Sequence, residues 1–222
     1  MIKIENVDVF GWESAIRGMR NPMNSWNKSD SDSHPTLVGD IGNNDLKLMQ
    51  SLVKAGSDHS KFMRMINVTC DITAPLYWWK EFDTYKVGTV RNSCSTMHKI
   101  HSKEFTLDDF SHEHLINMFE EPLPYSGKEF YCCNGIGALE RIIEVLNAFR
   151  TNYLATKNKE YWWQMIQLLP SSYNQRATVQ LNYAVLRNMY HSRKNHKLDE
   201  WVEFCKWVET LPYAKELICG EC

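Results

Sequence analysis

The sequence lacks a strong charge of one sign. Its 222 residues carry 25 basic and 27 acidic side chains, for a formal net charge of −2. A molecule so close to neutral has no overall field that attracts nucleic acid or an anionic membrane, so we expect neither as a partner. A free nucleotide stays compatible with this balance, because a few local donors are enough to hold it.

The sequence also lacks a secretory signal and an apolar run of about 18 residues. Seven cysteines in such a chain indicate free thiols in a reduced, cytoplasmic compartment. Cys219-Gly-Glu-Cys222 has the spacing of half a zinc knuckle, but the adjacent Cys132-Cys133 does not supply a second pair of that kind. We therefore expect structural or incidental thiols and no metal site.

No glycine-rich or proline-rich stretch divides the chain, which predicts a single domain over residues 1–222. Alternation predicts a short edge strand at Ile2–Glu5 and a clear strand over Ile66–Ile72 that Pro75 ends. With so few strands, a regular alternation of strand and helix is excluded. The fold class is therefore α+β, with an antiparallel or mixed sheet packed against several long helices.

Helical periodicity accounts for most of the remaining chain. Asp45 opens a helix that Gly56 ends, and Thr106 with Asp109 forms a capping box for a helix running toward Phe119. Pro122 and Pro124 stop that helix. The polar run Asn27–His34 is typical of a loop or flexible lid. Apolar stripes predict further helices at Trp12–Met19, Leu139–Leu146, Tyr161–Leu168, Val179–Tyr190 and Leu198–Val208.

Three polar side chains follow Leu169-Pro170 on the helix predicted over Val179–Tyr190 and beyond. On one continuous helix, Asn182 and Arg193 lie within about 20° of each other and about 16 Å apart along the axis, while Asn188 is rotated by about 120°. Such a trio is suited to a flat, phosphate-bearing ligand. The alternative is that both Asn residues are ordinary polar positions and Arg193 is a helix C-terminal charge.

The order of these segments resembles the flavin-dependent thymidylate synthases over most of the chain. Gly56-Ser-Asp-His-Ser-Lys-Phe62 resembles the family's Gly-His-x-Ser-Pro-Phe-Glu turn, and Ala74-Pro75-Leu76-Tyr77 matches its Ala-Pro-Ile-Phe. Leu169-Pro170, Asn182, Asn188 and Arg193 keep the family's C-terminal spacing without a gap. The chain is therefore similar to a divergent member of that family.

The family's hallmark, Arg-His-Arg-x-x-Ser-x-Asn-Glu-x-Ser-x-Arg, is eroded. Thr84-Tyr85-Lys86 stand where it has Arg-His-Arg, and Asn92-Ser93-Cys94-Ser95-Thr96-Met97 where it has Asn-Glu-x-Ser-x-Arg. Ile166 and Ala184 occupy two further arginine positions. A phosphate would lack counter-charge there, and Arg91, Arg64 or His98 are candidates to compensate. We expect Cys94 to be a buried small thiol and not a nucleophile.

The resemblance implies an FAD-dependent methyltransferase of the thymidylate synthase type, which performs reductive one-carbon transfer to a pyrimidine deoxynucleotide (dUMP to dTMP) in a cytoplasmic homotetramer. NADPH and methylenetetrahydrofolate would be co-substrates. For His59 and Ser60 a turn-capping role is the alternative, and for Lys86 a solvated loop position. The resemblance assigns flavin binding to His59, Ser60, Lys86, Asn92, Asn182 and Asn188, substrate binding to Ser93, Ser95 and Arg193, and catalysis to Arg193 and Ser95.

The lost arginines keep two other functions open. One is a nucleotide-modifying transferase that binds or modifies a different nucleotide, possibly without flavin. The other is a non-catalytic nucleotide-binding or assembly protein. Flavin binding separates the enzyme from both, and nucleotide binding separates the two from each other.

Overall fold

The computed structural model describes residues 2–32, 41–116 and 135–220. Within them four strands form one sheet in the order β1-β2-β4-β3, accompanied by eight α-helices. This confirms the α+β class. The strands are β1 (Lys3–Phe10), β2 (Asn67–Pro75), β3 (Val90–Ser93) and β4 (Asn174–Asn182). The helices are α1 (Trp12–Arg20), α2 (Asn43–Lys54), α3 (Leu76–Phe82), α4 (Thr96–Lys99), α5 (Gly135–Thr156), α6 (Lys159–Leu168), α7 (Tyr183–Arg193) and α8 (Asp199–Val208).

The chain divides into two compact units. The helical unit contains residues 74–79 and 93–176, and the sheet unit contains residues 2–73, 80–92 and 177–222. The single domain expected over residues 1–222 stays a prediction. In the described ranges, every helix is too short or too polar to cross a lipid bilayer.

Strand β2 has the alternation that the sequence predicts. Val68, Cys70 and Ile72 are buried, while the residues between them are half-exposed. The edge strand β1 pairs antiparallel with β2 and is longer than predicted, since its partner register runs from Lys3 opposite Thr73 to Phe10 opposite Asn67. Apolar burial on one face of β2 therefore fixes this register.

The polar run expected to be a flexible lid is partly anchored, because a buried ion pair holds it. Arg20 and Asp45 are 4% and 0% exposed, and Arg20 Nε donates to Asp45 Oδ1 at 2.6 Å. The other carboxylate oxygen of Asp45 accepts from the Ser29 and Ser31 hydroxyls at 2.7 Å each. The end of the run, including His34, lies outside the described residues. The start predicted for α2 at Asp45 is two residues late, because the helix begins at Asn43; Asp45 lies in its first turn and fixes the segment before the helix.

The helix predicted over Val179–Tyr190 is wrong in its first part. Ala177, Val179 and Leu181 are buried and alternate with exposed residues, so this part is strand β4, and α7 begins only at Tyr183. Asn182 is the N-cap of α7, where its Oδ1 accepts from the Val185 N–H at 3.0 Å. The side-chain period of two, which the apolar stripe at helical spacing concealed, is the better signal here.

The helical unit has its own core, and one predicted helix is missing from it. Thr106 and Asp109 form the expected capping box, but only a single 3₁₀ turn follows. Phe110 is extended and bridges to Tyr173, so the helix does not continue. Phe119, Pro122 and Pro124 lie outside the described residues. The core beneath this turn contains Ile100, Phe105, Phe110, Leu139, Ile143, Leu146 and Met165.

Candidate functional site

A cavity of about 300 Å³ lies within the sheet unit, and one face of α7 forms a wall of it. Ala184, Arg187, Asn188 and His191 line this wall. Their spacing of three and four residues places them on a single stripe of the helix. This cavity is called the α7 pocket below.

The opposite wall comes from the end of α2 and the 3₁₀ turn Lys61–Arg64. Gly56 ends α2 as predicted, and its φ of 101° lets the chain reverse into the Ser57–Ser60 segment. The residues contributed by this wall are Val53, Gly56, Ser57, Ser60, Met63 and Arg64.

The lining of the α7 pocket is apolar in part and otherwise rich in donors. Two arginines and one histidine line it, together with two serine hydroxyls and one asparagine amide. None of these lining side chains is a carboxylate. A mainly apolar wall with a few convergent polar groups is the usual construction of a small-molecule site. The charge balance of this one favours an anionic ligand.

The π-helical turn Lys215–Cys219 orients two of these side chains. Arg187 Nη1 donates to the Leu217 and Ile218 carbonyls at 3.1 and 2.8 Å. His191 Nε2 lies 3.0 Å from the same Ile218 oxygen. Leu217 and Ile218 are fully buried, so the turn is a fixed support for this side of the pocket.

The α7 pocket brings together two of the residues that the sequence predicts for flavin binding. Ser60 and Asn188, 128 positions apart in the numbering, line its opposite walls. His59 is exposed and adjoins Ser60 without lining the cavity. The His59 and Ser60 N–H groups both donate to the Gly56 carbonyl at 3.1 Å, so both residues also have the turn-capping position considered above.

Asn182 is not on the same helical face as the pocket residues. Besides capping α7, its Nδ2 lies 3.5 Å from the Gly88 carbonyl, at the weak limit of a hydrogen bond. A Cβ built at Gly88, whose φ is 80°, would be 2.6 Å from that Nδ2. Asn182 therefore contacts the hallmark segment directly. At position 88 only glycine allows the backbone to approach the Asn182 side chain so closely.

Arg193 points away from the α7 pocket. It follows Asn188 by five residues, about 140° around the helix, and its partners lie elsewhere in the sheet unit. Nε donates to the Tyr85 hydroxyl at 2.9 Å and Nη1 to Glu81 at 2.8 Å, while the guanidinium carbon lies 5.1 Å from the Trp201 ring centre. The expectation that Asn182 and Arg193 share one helical face is thus wrong, because Asn182 precedes the helix.

The hallmark segment is largely exposed and is held by side-chain hydrogen bonds. Within the sheet unit, Arg91 Nη1 donates to both oxygens of Asp83 at 2.8 and 2.7 Å, and the exposed Lys86 and Asn92 lie on either side of Gly88. In the helical unit, Ser93 and Ser95 are also exposed, and Ser95 Oγ accepts from the His98 N–H at 3.0 Å. The α7 pocket is lined by none of Lys86, Arg91, Asn92, Ser93, Ser95 and His98.

Four polar pocket residues were not predicted as site residues from the sequence. Arg64 was named only as a candidate compensating charge, whereas Arg187, His191 and Ser57 were not identified. The stripe formed by Ala184, Asn188 and His191 at helical spacing was the available signal. The two walls are linked only by the tertiary fold, which periodicity does not reveal.

The thiols give no indication of covalent or metal chemistry. Cys70, Cys94, Cys205 and Cys219 are free, as predicted, and the described residues contain no cluster of three or more candidate metal ligands. Burial raises the pKa of Cys70 and of Cys205 to about 12, which makes both poor nucleophiles. Cys94 is exposed, so its expected burial is wrong. Cys132, Cys133 and Cys222 lie outside the described residues.

Comparison with known proteins gives a match at the level of structure. No family model and no curated protein matches the sequence. The flavin-dependent thymidylate synthase ThyX of Helicobacter pylori, crystallised with FAD and dUMP, is 17% identical over 97% of both chains, with a TM-score of 0.67. The UMP/dUMP methylase PolB of Streptomyces cacaoi, bound with 5-Br dUMP, is 15% identical over 97% of this chain and 91% of that one, with a TM-score of 0.63. At such identities the likeness establishes a common fold.

Proposed function

We propose that this chain is a divergent flavin-dependent thymidylate synthase-like enzyme, which transfers one carbon reductively to a pyrimidine deoxynucleotide of the dUMP type. The observation that carries the proposal is a cavity lined by both Ser60 and Asn188, in a fold that H. pylori ThyX shares over 97% of both chains. The sequence resemblance selects these two side chains as flavin contacts. Their convergence on one cavity supports that assignment.

The α7 pocket fits part of a flavin nucleotide. Val53 and Met63 form the apolar part of the lining, against which a ring or ribityl chain would pack, and the hydroxyls, amide and guanidinium groups offer donors to its oxygens. About 300 Å³ is small for a dinucleotide, so only one portion of FAD would occupy it. Bound flavin would supply the redox chemistry, with NADPH as reductant and methylenetetrahydrofolate as carbon donor. The protein's own residues would bind and orient the ligands.

The remaining assigned residues are proposed to act with a second chain. Lys86 and Asn92 in the sheet unit, and Ser93 and Ser95 in the helical unit, are exposed and do not line the α7 pocket, so we propose that other subunits of a homotetramer complete the sites to which they contribute. His59 and Asn182 stay proposed flavin contacts, and Arg193 a proposed substrate contact. The compartment proposed for this assembly is the cytoplasm. Light scattering on the purified protein would give about four times the 26.1 kDa chain mass.

A second function is favoured by one specific observation. The donors of Arg193 that would read a pyrimidine are occupied in part by Glu81 and Tyr85, and the neighbouring hallmark has lost its arginines. A degenerate member that binds or modifies a different nucleotide without flavin, or a non-catalytic nucleotide-binding assembly protein, agrees with that arrangement.

Flavin binding and turnover test the proposal. Purified protein should be yellow or should bind added FAD, and with NADPH and methylenetetrahydrofolate it should convert dUMP to dTMP. A colourless protein that ignores FAD contradicts the enzyme assignment. In that case, calorimetric heat with a pyrimidine nucleotide supports the flavin-independent transferase, and no heat with any of them supports the assembly protein.

A further inference from the structure

The α7 pocket contains an exposed arginine that takes part in no described contact stabilising the fold. Arg64 ends the 3₁₀ turn Lys61–Arg64 and lines the cavity. Its guanidinium makes no hydrogen bond or ion pair with the residues that the structure describes. Arginine is suited to phosphate, because its planar fork donates two parallel hydrogen bonds. Arg64 is therefore an available donor, and Ser57 and Ser60 lie on the same wall.

The facing wall adds positive charge in a fixed position. Arg187 lines the cavity while two buried carbonyls orient one end of its guanidinium, and His191 is supported by the same turn. Support of this kind limits the conformational entropy that the side chains lose when a ligand binds. Because no lining residue is a carboxylate, nothing lining the cavity opposes the approach of an anion.

The other candidate cations are less well placed. Arg91 Nη1 donates to both carboxylate oxygens of Asp83, which commits that end of the guanidinium to an ion pair in its own segment. His98 is exposed in the helical unit, and the structure does not place it at the α7 pocket. Of the three candidates, Arg64 is thus the one that lines the α7 pocket.

We infer that the α7 pocket is a phosphate subsite, in which Arg64 and Arg187 hold a diphosphate group of a nucleotide ligand and Ser57, Ser60 and Asn188 donate the remaining hydrogen bonds. This inference adds a phosphate-binding role to the proposed function, and the identity of the nucleotide depends on that function. The existence of the subsite depends only on the residues that line the cavity. Two hydroxyls and one amide would orient the oxygens, and the two guanidinium groups would supply the charge.

Calorimetric titration with inorganic pyrophosphate and with ADP tests the subsite on the full-length protein. Arg64→Gln removes one lining charge without disturbing a described contact. Lys61→Gln removes the same charge from the same turn, at an exposed side chain that does not line the cavity. The dissociation constants of Arg64→Gln should rise about tenfold, the loss of one charged hydrogen bond. Those of Lys61→Gln should change less than about twofold, and neither variant should shift the melting temperature.

If both substitutions weaken pyrophosphate and ADP binding equally, the anions are attracted to a positive surface in general, and the subsite is rejected. Failure of the wild-type protein to bind either probe would reject it as well. Failure of the proposed function gives a different pattern. If the protein binds neither FAD nor dUMP, yet Arg64→Gln alone weakens pyrophosphate binding, the subsite is supported and the enzyme assignment is rejected. Normal FAD binding that neither substitution changes keeps the flavin assignment and rejects the subsite.

Discussion

The guanidinium of Arg193 donates to the carboxylate of Glu81 at 2.8 Å, across 112 positions of the sequence. The same Glu81 oxygen accepts from the Trp201 indole N–H at 2.9 Å, and the Arg193 guanidinium lies over the Trp201 ring. Within the sheet unit, Arg193 therefore joins the end of α7 to Glu81 in the last turn of α3 and to Trp201 in α8. An arginine held this way contributes to stability whether or not it also contacts a ligand.

Replacing Arg193 with Ala distinguishes these two roles. The change removes one ion pair, one bond to Tyr85 and the contact over Trp201, and it leaves Glu81 without its arginine partner. Because both side chains of the ion pair are partly exposed, we expect only about 1 to 2 kcal/mol of lost unfolding free energy, measured by urea titration.

Arg17→Ala is the matched control, since Arg17 pairs with Glu13 on an exposed helix face and should cost less than about 0.5 kcal/mol. If Arg193→Ala leaves the unfolding free energy unchanged while pyrimidine nucleotides bind about 1.5 to 3 kcal/mol more weakly, Arg193 reads the base and the stabilising role is rejected.

The buried pair Arg20 and Asp45 predicts a pH dependence of stability. Burial acts to raise the pKa of the Asp45 carboxyl, but hydrogen bonds from Ser31, Ser29 and Arg20 outweigh it and lower the pKa below its ordinary value. A carboxyl with a lowered folded-state pKa stabilises the protein above its unfolded pKa of about 3.9, and this contribution is lost as the pH falls through the folded-state value.

Asp45→Asn should therefore be clearly less stable than wild type at pH 7, and the difference should shrink below about pH 4. Chemical denaturation at pH 7, 5 and 3 measures it. Leaving Arg20 buried without its anion costs about 3 to 5 kcal/mol, the usual effect of breaking a buried pair. A difference between the two proteins that stays constant over this range would show that Asp45 is not the titrating group.

Part of this architecture was readable from the sequence because it depends on neighbours along the chain. The alternation in β2, the end of α2 at Gly56 and the capping box at Thr106 are all local features. The helix predicted after Thr106 was wrong because Phe110 pairs with Tyr173, a residue distant in sequence that local patterns do not indicate. The candidate site divides in the same way. Ser60 and Asn188 come from recognisable segments, but their shared cavity depends on the packing of α7 against the Lys61–Arg64 turn.

Gly88 is required where the hallmark segment approaches Asn182, and Gly88→Ala should be costly. Its φ of 80° strains any other residue, and the added Cβ would lie 2.6 Å from Asn182 Nδ2. Gly56→Ala is the matched control, because Gly56 has a φ of 101° and nothing within 4 Å of a built Cβ. We expect about 1 kcal/mol for Gly56→Ala and about 2 kcal/mol or more for Gly88→Ala in chemical denaturation.

The excess should depend on Asn182. Asn182→Ala alone removes the α7 N-cap, at a cost of about 1 kcal/mol. In that background the clash with Asn182 Nδ2 should disappear while the 3.0 Å approach to Val185 Cγ2 remains, so the cost of Gly88→Ala should fall and the two substitutions should not be additive. Additive costs would mean that the Gly88 penalty comes from backbone strain and Val185, and that the close approach to Asn182 has no energetic weight.

Asn188→Ala separates ligand binding from folding. The side chain is exposed on the pocket face of α7, and its one described contact is a weak 3.5 Å bond from the Ser192 hydroxyl, so its removal should leave the melting temperature unchanged or slightly higher. If Asn188 contacts flavin, the dissociation constant for FAD should rise about fivefold to tenfold by fluorescence titration. Asn152→Ala, the same change at an exposed position of α5, should leave FAD affinity unaltered. Equal affinities in both variants would remove Asn188 from the flavin site, and the proposed function would then lose one of the two side chains on which it depends.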